Sequence, residues 1–313
     1  MKKTIVSIFL LGFTCAIYSQ DSLDKILKIK AGNIFLEGSL LAPQNAKKLV
    51  IIIAGSGPTD RNGNSSLGVK GNSYKLLAQH LYQNNIASFR YDKRAIGESA
   101  YSNVDENNLL FDDYINDVVT LFNYFKDSSS YKNIFYAGHS EGSAIGMIAA
   151  EKTSIKGFIS ISGVAQSIDE ILKTQLSFYP DSIKNKISEI LASLKKEQLV
   201  PNAPSYLYSL FRPSVQPYMI SWLKYKPAEE IKKLNCPILI LQGTCDKQVK
   251  EEEANALHAA NPKSELVIIP LMTHALKNTS ADCKDFGSRT YVDPIQPLNE
   301  LLTKSIVNFI NKN

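Results

Sequence analysis

Short runs rich in Val and Ile alternate along most of the chain with stretches whose apolar positions recur every three or four residues. That alternation predicts parallel strands joined by crossover helices. The clearest strands are KLVIIIAG (48–55), IASFRYD (86–92), NIFYAGH (133–139), IKGFISIS (155–162), CPILILQG (236–243) and SELVIIP (264–270). Their nearly continuous apolar character suits a sheet covered on both faces. KILKIKA and IFLEGSLLAP alternate more and predict an antiparallel hairpin at one edge. Helical periodicity falls between the strands, over SYKLLAQHLYQNN, FDDYINDVVTLFNYFK, residues 141–152, EEEANALHAAN and a last helix from Leu298 to Asn311.

The alternation breaks once. Between Gly163 and about Pro227 there is no strand pattern. Ile183, Ile187, Ile190, Leu191 and Leu194 make one apolar stripe, VPNAP ends that helix, and the aromatic-rich SYLYSLFRPSVQPYMISWLKYKPAEE follows. A helical cap at 164–227 is therefore expected, inserted into an α/β core of residues 21–163 and 228–313. The aromatic stripe also fits extra core helices packed on one face, because such stripes fill cores more often than they line sites.

The first segment, MKKTIVSIFLLGFTCAIYSQ, joins Lys2 and Lys3 to an apolar run from Ile5 to Ile17 and a polar end before Asp21. This is the pattern of a secretory signal, so residues 1–20 are expected to be removed and the protein exported to a periplasm or beyond the cell. The run is too short for a mature membrane span. An acylated Cys15 is the alternative, although Gly12, Phe13 and Thr14 make a poor approach to such a site.

Without this segment the net charge falls from +5 to +3, since it carries two lysines and no acid. No dense Lys/Arg block occurs, so nothing favours nucleic acid or an anionic membrane over a neutral small substrate. Cys236, Cys245 and Cys283 remain. An oxidising compartment permits one disulfide, which would be Cys245 with Cys283; three free thiols fit the sequence equally.

FYAGHSEGSAIG (135–146) sets Ser140 between Gly138 and Gly142, after a predicted strand and before a helical pattern. GxSxG alone is a weak signal, but strand, turn and helix together are the context that presents a serine nucleophile on a strained elbow. There the glycines keep side chains out of a tight turn, and free amides gather at the helix start. A nucleophilic serine needs a base, and the base a carboxylate to orient it. Of the four histidines, His80 and His258 fall in amphipathic helical patterns and His139 belongs to the elbow, which leaves His274 in LMTHALK. Asp246 follows a strand in CPILILQGTCDKQV, whereas Asp282 and Asp285 come after His274, against the order serine, acid, histidine. The candidates are therefore Ser140, Asp246 and His274.

One oxyanion donor is expected at the backbone amide of Glu141 and the other at Ser56, in the loop IIIAGSGPTDRNGN. That loop fits neither phosphate-binding pattern: Asp60 stands where the third glycine of GxGxxG belongs, and no lysine follows in GxxxxGK form. With no HExxH and no paired histidines at ligand spacing, neither metal nor cofactor is expected. The Glu141 side chain is read as structural, favoured by the helix dipole, with a polar substrate contact as the alternative.

Taken together, AGSGPTDRNGN, RYDKRAIGES, GHSEG, LQGTCDKQV and MTHALK resemble the α/β-hydrolase superfamily, in particular bacterial carboxylesterases near the serine-aminopeptidase-like branch. FRPSVQPYMISWLKYKPAEEIKKL is similar to the cap-to-core return of such esterases. The resemblance implies an α/β-hydrolase fold, with a mostly parallel sheet of about eight strands, helices on both faces and an inserted helical cap. Ala95 departs from the pattern, standing where the family often has glycine; Asp92 and Arg94 are expected to brace neighbouring loops.

The activity expected is hydrolysis of carboxylic esters with small to medium acyl chains through an acyl-enzyme on Ser140. Tyr206, Phe211, Tyr218 and Trp222, with Tyr208, are aromatic enough for a mostly apolar substrate pocket in the cap. A bridge between Cys245 and Cys283 would brace the loops of the acid and the base. An aminopeptidase of the same fold is the main rival, with Glu141 or Asp60 to bind an ammonium; a thioesterase or acyltransferase lacks any mark of a coenzyme A phosphate site. From another class, an exported binding protein could keep the fold without catalysis.

Overall fold

The computed structural model describes residues 23–100, 105–128, 131–283 and 288–313. The expected signal segment, with Cys15, lies outside them.

The chain opens with a hairpin, β1 (Lys25–Ala31) and β2 (Ile34–Leu41), then β3 (Lys48–Ile53). A loop carrying the two-residue strands β4 (Asn64–Ser65) and β5 (Val69–Lys70) leads into α1 (Ser73–Gln83) and β6 (Ala87–Tyr91). Next come α2 (Phe111–Ser128), β7 (Asn133–His139), α3 (Glu141–Glu151) and β8 (Gly157–Ile161). Five helices follow without a strand: α4 (Ile168–Gln175), α5 (Asp181–Leu194), α6 (Tyr208–Phe211), α7 (Gln216–Trp222) and α8 (Pro227–Glu230). The alternation resumes with β9 (Ile238–Gly243), α9 (Glu251–Ala260) and β10 (Glu265–Ile269), and ends with α10 (Ser288–Val292) and α11 (Glu300–Lys312).

Eight strands form one sheet in the order β1-β2-β6-β3-β7-β8-β9-β10. β1 pairs antiparallel with β2, and β2 antiparallel with β6; from β6 to β10 all neighbours are parallel. The continuous apolar runs follow from burial on both faces. Along β3, Leu49, Ile51 and Ile53 join the core formed with α2 and α3, while Val50 and Ile52 join the core formed with α1 and α11. Successive strand residues point to opposite faces, so a strand covered twice has no polar side.

The helices between β8 and β9 carry a third apolar cluster of their own. Ile168, Ile171 and Leu172 of α4 meet Ile187, Ile190, Leu191 and Leu194 of α5, with Leu207, Phe211, Met219 and Leu223 completing it. The stripe read in α5 is thus an internal seam of the insert. Truncating a member as buried as Leu194 to alanine costs about 2–5 kcal/mol.

Candidate active site

Ser140 joins β7 to α3 with φ 55° and ψ −122°, a conformation that L-residues rarely adopt and that persists only where the surroundings impose it. Its amide donates to Ile161 O at 2.9 Å, anchoring the turn to β8. Both flanking glycines are sterically required. A Cβ on Gly138 would lie 2.2 Å from Gly142 O, and one on Gly142 would lie 2.3 Å from Ile53 O. The elbow is therefore pressed against the end of β3.

Asp246 and His274 follow β9 and β10, so all three candidates stand past the carboxyl ends of parallel strands, where open α/β sheets form their crevices. His274 Nδ1 is 2.7 Å from Asp246 Oδ2. The other oxygen, Oδ1, accepts from the amides of Gln248 at 2.8 Å and Val249 at 2.9 Å. Burial opposes ionisation of Asp246, but the facing imidazole and these amides outweigh it and hold the carboxyl below its ordinary value. A carboxylate so bound fixes the proton of His274 on Nδ1 and leaves Nε2 to accept.

Ser140 and His274 line one cavity of about 310 Å³. His139, one residue before Ser140, packs its ring 4.6 Å from that of His274, tilted by 44°. Its Nδ1 lies 2.8 Å from Tyr74 Oη, and Tyr74 Oη accepts the amide of Gly55 at 3.0 Å. Burial, with the neighbouring His274 charge, pushes the His139 pKa down to about 3, so it stays neutral and packs as a spacer between elbow and base loop.

Ser56 lines the same cavity, and Glu141 begins α3 directly after Ser140. The Glu141 carboxylate is engaged elsewhere: Lys93 Nζ is 3.4 Å from Oε2, and Tyr218 Oη donates to Oε1. Asp92 accepts from Arg61 N, Nε and Nη2, at 2.6, 3.0 and 2.8 Å, and Arg94 Nε donates to Asp117 at 2.8 Å, so the post-β6 segment braces the oxyanion loop and α2.

The aromatic residues of the insert are not brought to this cavity. Tyr206 is 62% exposed, and Phe211 is buried in the insert's own core. Trp222 stacks on Phe111 of α2 at 5.1 Å, and Tyr218 meets the same ring edge-on at 5.9 Å. These side chains fill the seam between insert and core, where large rings bury the most area. The cavity walls come instead from Pro58 in the loop after β3, from Leu67 and Val69 on the β4–β5 hairpin, from Tyr74, and from Gln248 and Tyr291, whose side chains are joined at 2.7 Å. The hairpin escaped the sequence reading because two-residue strands have no periodicity to detect, although the apolar pair in SLGVK marked the place.

Cys245 and Cys283 form a disulfide with a Cα–Cα distance of 5.3 Å. Cys236 is free, its thiol pushed up to about 11 by burial. Among the described residues no cluster of three His, Cys, Asp or Glu side chains is placed to hold a metal ion, and no helix is long and apolar enough to cross a membrane.

An eight-stranded, mostly parallel sheet with Ser140, Asp246 and His274 past the ends of β7, β9 and β10 is the α/β-hydrolase fold. The family described as serine aminopeptidase, S33, matches residues 67–215. Esterase EstD of Thermotoga maritima is 25% identical over 225 residues, covering 70% of this chain and 52% of EstD, so the chain spans about half the length of that relative. Among solved structures, Est1E from Butyrivibrio proteoclasticus, with ferulic acid bound, superposes with a TM-score of 0.63 at 22% identity, covering 91% of this chain and 98% of Est1E. The Pyrococcus furiosus esterase Pf2001 gives 0.58 at 14% identity over 94% and 96%, and a proline iminopeptidase of Mycobacterium smegmatis gives 0.57 at 11% over 92% and 98%. These likenesses span nearly the whole chain and concern the fold.

Proposed function

We propose that the protein is an exported serine carboxylesterase acting on neutral esters with small to medium acyl groups. The observation that carries the reading is that His274, bonded to the buried Asp246, lines the same cavity as the strained Ser140. His274 Nε2 takes the Ser140 proton as Oγ attacks the ester carbonyl, and the amides of Ser56 and Glu141 receive the oxyanion. The imidazolium then protonates the leaving alcohol. Water, activated by the same histidine, releases the acid from Ser140. The likeness to EstD, an esterase, supports this reading.

The aminopeptidase alternative requires a carboxylate near the reacting bond to hold a substrate ammonium. Glu141 is occupied by Lys93 and Tyr218, and Asp60 Oδ1 by the amides of Asn62 and Asn64. No acidic side chain is among the described residues that line the cavity, which favours an uncharged substrate.

A fluorophosphonate probe tests the nucleophile: labelling should map to Ser140 and vanish in Ser140→Ala, which should keep its fold and lose ester turnover by several orders of magnitude. Faster cleavage of aminoacyl anilides than of p-nitrophenyl acyl esters would overturn the esterase reading. Export is supported by the basic, apolar and polar regions of residues 1–20, and a mature protein beginning after Gln20 in the exported fraction is the expected result.

A further inference from the structure

Outside the triad, Lys93 is a deeply buried charge near the site, its side chain 2% exposed. It follows β6 in RYDKRAIGES and does not line the cavity. Taking an ammonium out of water is expensive unless fixed acceptors replace the solvent. Lys93 has three such neighbours. Nζ donates to Gly55 O at 2.6 Å, lies 3.4 Å from Glu141 Oε2, and sits 5.1 Å from the centre of the Tyr114 ring.

Two of these are the residues on which the proposed oxyanion hole depends. Gly55 precedes Ser56 and shares its peptide plane; Glu141 supplies the second amide. A trans peptide is planar, so its carbonyl and the following N–H point in opposite directions. Fixing Gly55 O on Lys93, outside the cavity, aims Ser56 N–H toward the cavity that Ser56 lines. The amide of Gly55 is itself held by Tyr74 Oη, so both polar groups of this residue are clamped by side chains from separate elements. An ammonium on the carbonyl also polarises the peptide and strengthens its N–H as a donor.

We infer that Lys93 is a positioning residue of the oxyanion hole: its ammonium orients and polarises the Gly55–Ser56 peptide and ties it to Glu141. Lys93 touches no reacting atom and acts through the Ser56 amide. This inference rests on the esterase reading. Nothing in the motif surrounding Ser140 assigns it, because the ammonium reaches the site from the far side of the loop.

The test compares wild type, Ser140→Ala, Lys93→Gln and Lys93→Met in the full mature chain, using a p-nitrophenyl acyl ester and its thiono analogue, in which sulfur replaces the carbonyl oxygen. Removing a whole oxyanion donor costs about 10²–10³ in kcat, so misaiming one should cost about tenfold to a hundredfold. Lys93→Met is expected to lose that much kcat with KM within about threefold of wild type, and to narrow the preference for the oxygen ester over the thiono ester, since only a well-aimed N–H favours oxygen. Lys93→Gln, which keeps a donor for Gly55 O without the charge, should fall between. A folded Lys93→Met with wild-type kcat overturns the inference, as does one that loses kcat but keeps the wild-type oxygen-to-thiono ratio. If Lys93→Met does not fold, the same two outcomes are read from Lys93→Gln. A wild type that hydrolyses no ester overturns the esterase reading and this inference with it, whereas an active wild type with an unchanged ratio in the variants overturns this inference alone.

Discussion

His274 Nδ1 meets Asp246 Oδ2 at 2.7 Å, and the second oxygen of that carboxylate is held by two backbone amides of its own loop. The acid is thus fixed before the base is added. Asp246→Asn keeps the size of the side chain but offers an amide that can present N–H to Nδ1, which favours the wrong tautomer. The expected result is a folded protein whose kcat on p-nitrophenyl acetate falls by about 10³–10⁴, with KM little changed. Circular dichroism alongside steady-state kinetics checks both halves of that statement.

The cavity walls separate two kinds of aromatic residue. Tyr291 lines the cavity and bonds to Gln248, whereas Trp222 is stacked on Phe111 at the seam of the insert. Tyr291→Ala should shift the preferred p-nitrophenyl ester toward longer acyl chains. Trp222→Ala should leave that preference alone and instead lower stability by about 3 kcal/mol, the low end of the range for truncating a large core ring. A chain-length series with urea unfolding of the same two variants distinguishes site from scaffold.

The proposed triad could be named from the sequence because its signals are local. Each member follows an apolar run long enough to read as a strand, and the order along the chain removed Asp282 and Asp285. The strand NIFYAGH coincides with β7 residue for residue, since burial on both faces makes its centre one continuous apolar run. The cavity walls were not legible. Leu67 and Val69 lie far from Tyr291 in sequence and share a cavity with it only because α10 packs near β5, and no periodicity records that contact. Lys93 was passed over for a related reason: its acceptor is a main-chain carbonyl, which no residue type announces.

The Cys245–Cys283 bridge spans 38 positions and joins the residue before the acid to the loop that follows the base. Closing a loop of that length restricts the unfolded chain by about 2–4 kcal/mol. The Cys245→Ser/Cys283→Ser double variant should lose stability of that order and some kcat through a loosened Asp246. Intact mass should show the unreduced protein two hydrogens lighter than the reduced one. Native alkylation at neutral pH should leave Cys236 largely unmodified, because burial keeps its thiol protonated.

Glu151, at the end of α3, provides a pH signature away from the site. Burial, reinforced by a hydrogen bond shared with Glu230, raises its pKa to about 7, although Lys233 Nζ opposes this from 3.6 Å. The folded state therefore holds a proton that the unfolded state releases near its ordinary value of 4.5. Stability from this group is complete below that value and is lost as pH rises through about 7. After allowance for solvent screening the loss is on the order of 1 kcal/mol. Urea midpoints measured from pH 5 to pH 8 should fall in the wild type, and Glu151→Gln should flatten the profile.

Ala95 lies in the turn after β6 with φ 66°, in the left-handed region where a Cβ crowds the following carbonyl. The resembling esterases often carry glycine at this point, and the backbone now supplies the reason. Relieving the crowding is worth about 1–2 kcal/mol, against about 0.5–1 kcal/mol for the extra freedom that glycine brings to the unfolded chain. Ala95→Gly should therefore stabilise by up to about 1 kcal/mol and raise Tm by roughly 1–3 °C in a chain of this size. Ala95→Val, whose branched Cβ tolerates this conformation less well, should move Tm the other way. The turn sits between Asp92, which holds the oxyanion loop through Arg61, and Arg94, which holds α2 through Asp117, so kcat should be preserved in the glycine variant while the melting curve shifts. A differential scanning trace with an ester assay on the same samples checks the pair, and an unchanged or lowered Tm for Ala95→Gly would show that the surrounding contacts, rather than the backbone, set the cost at this position.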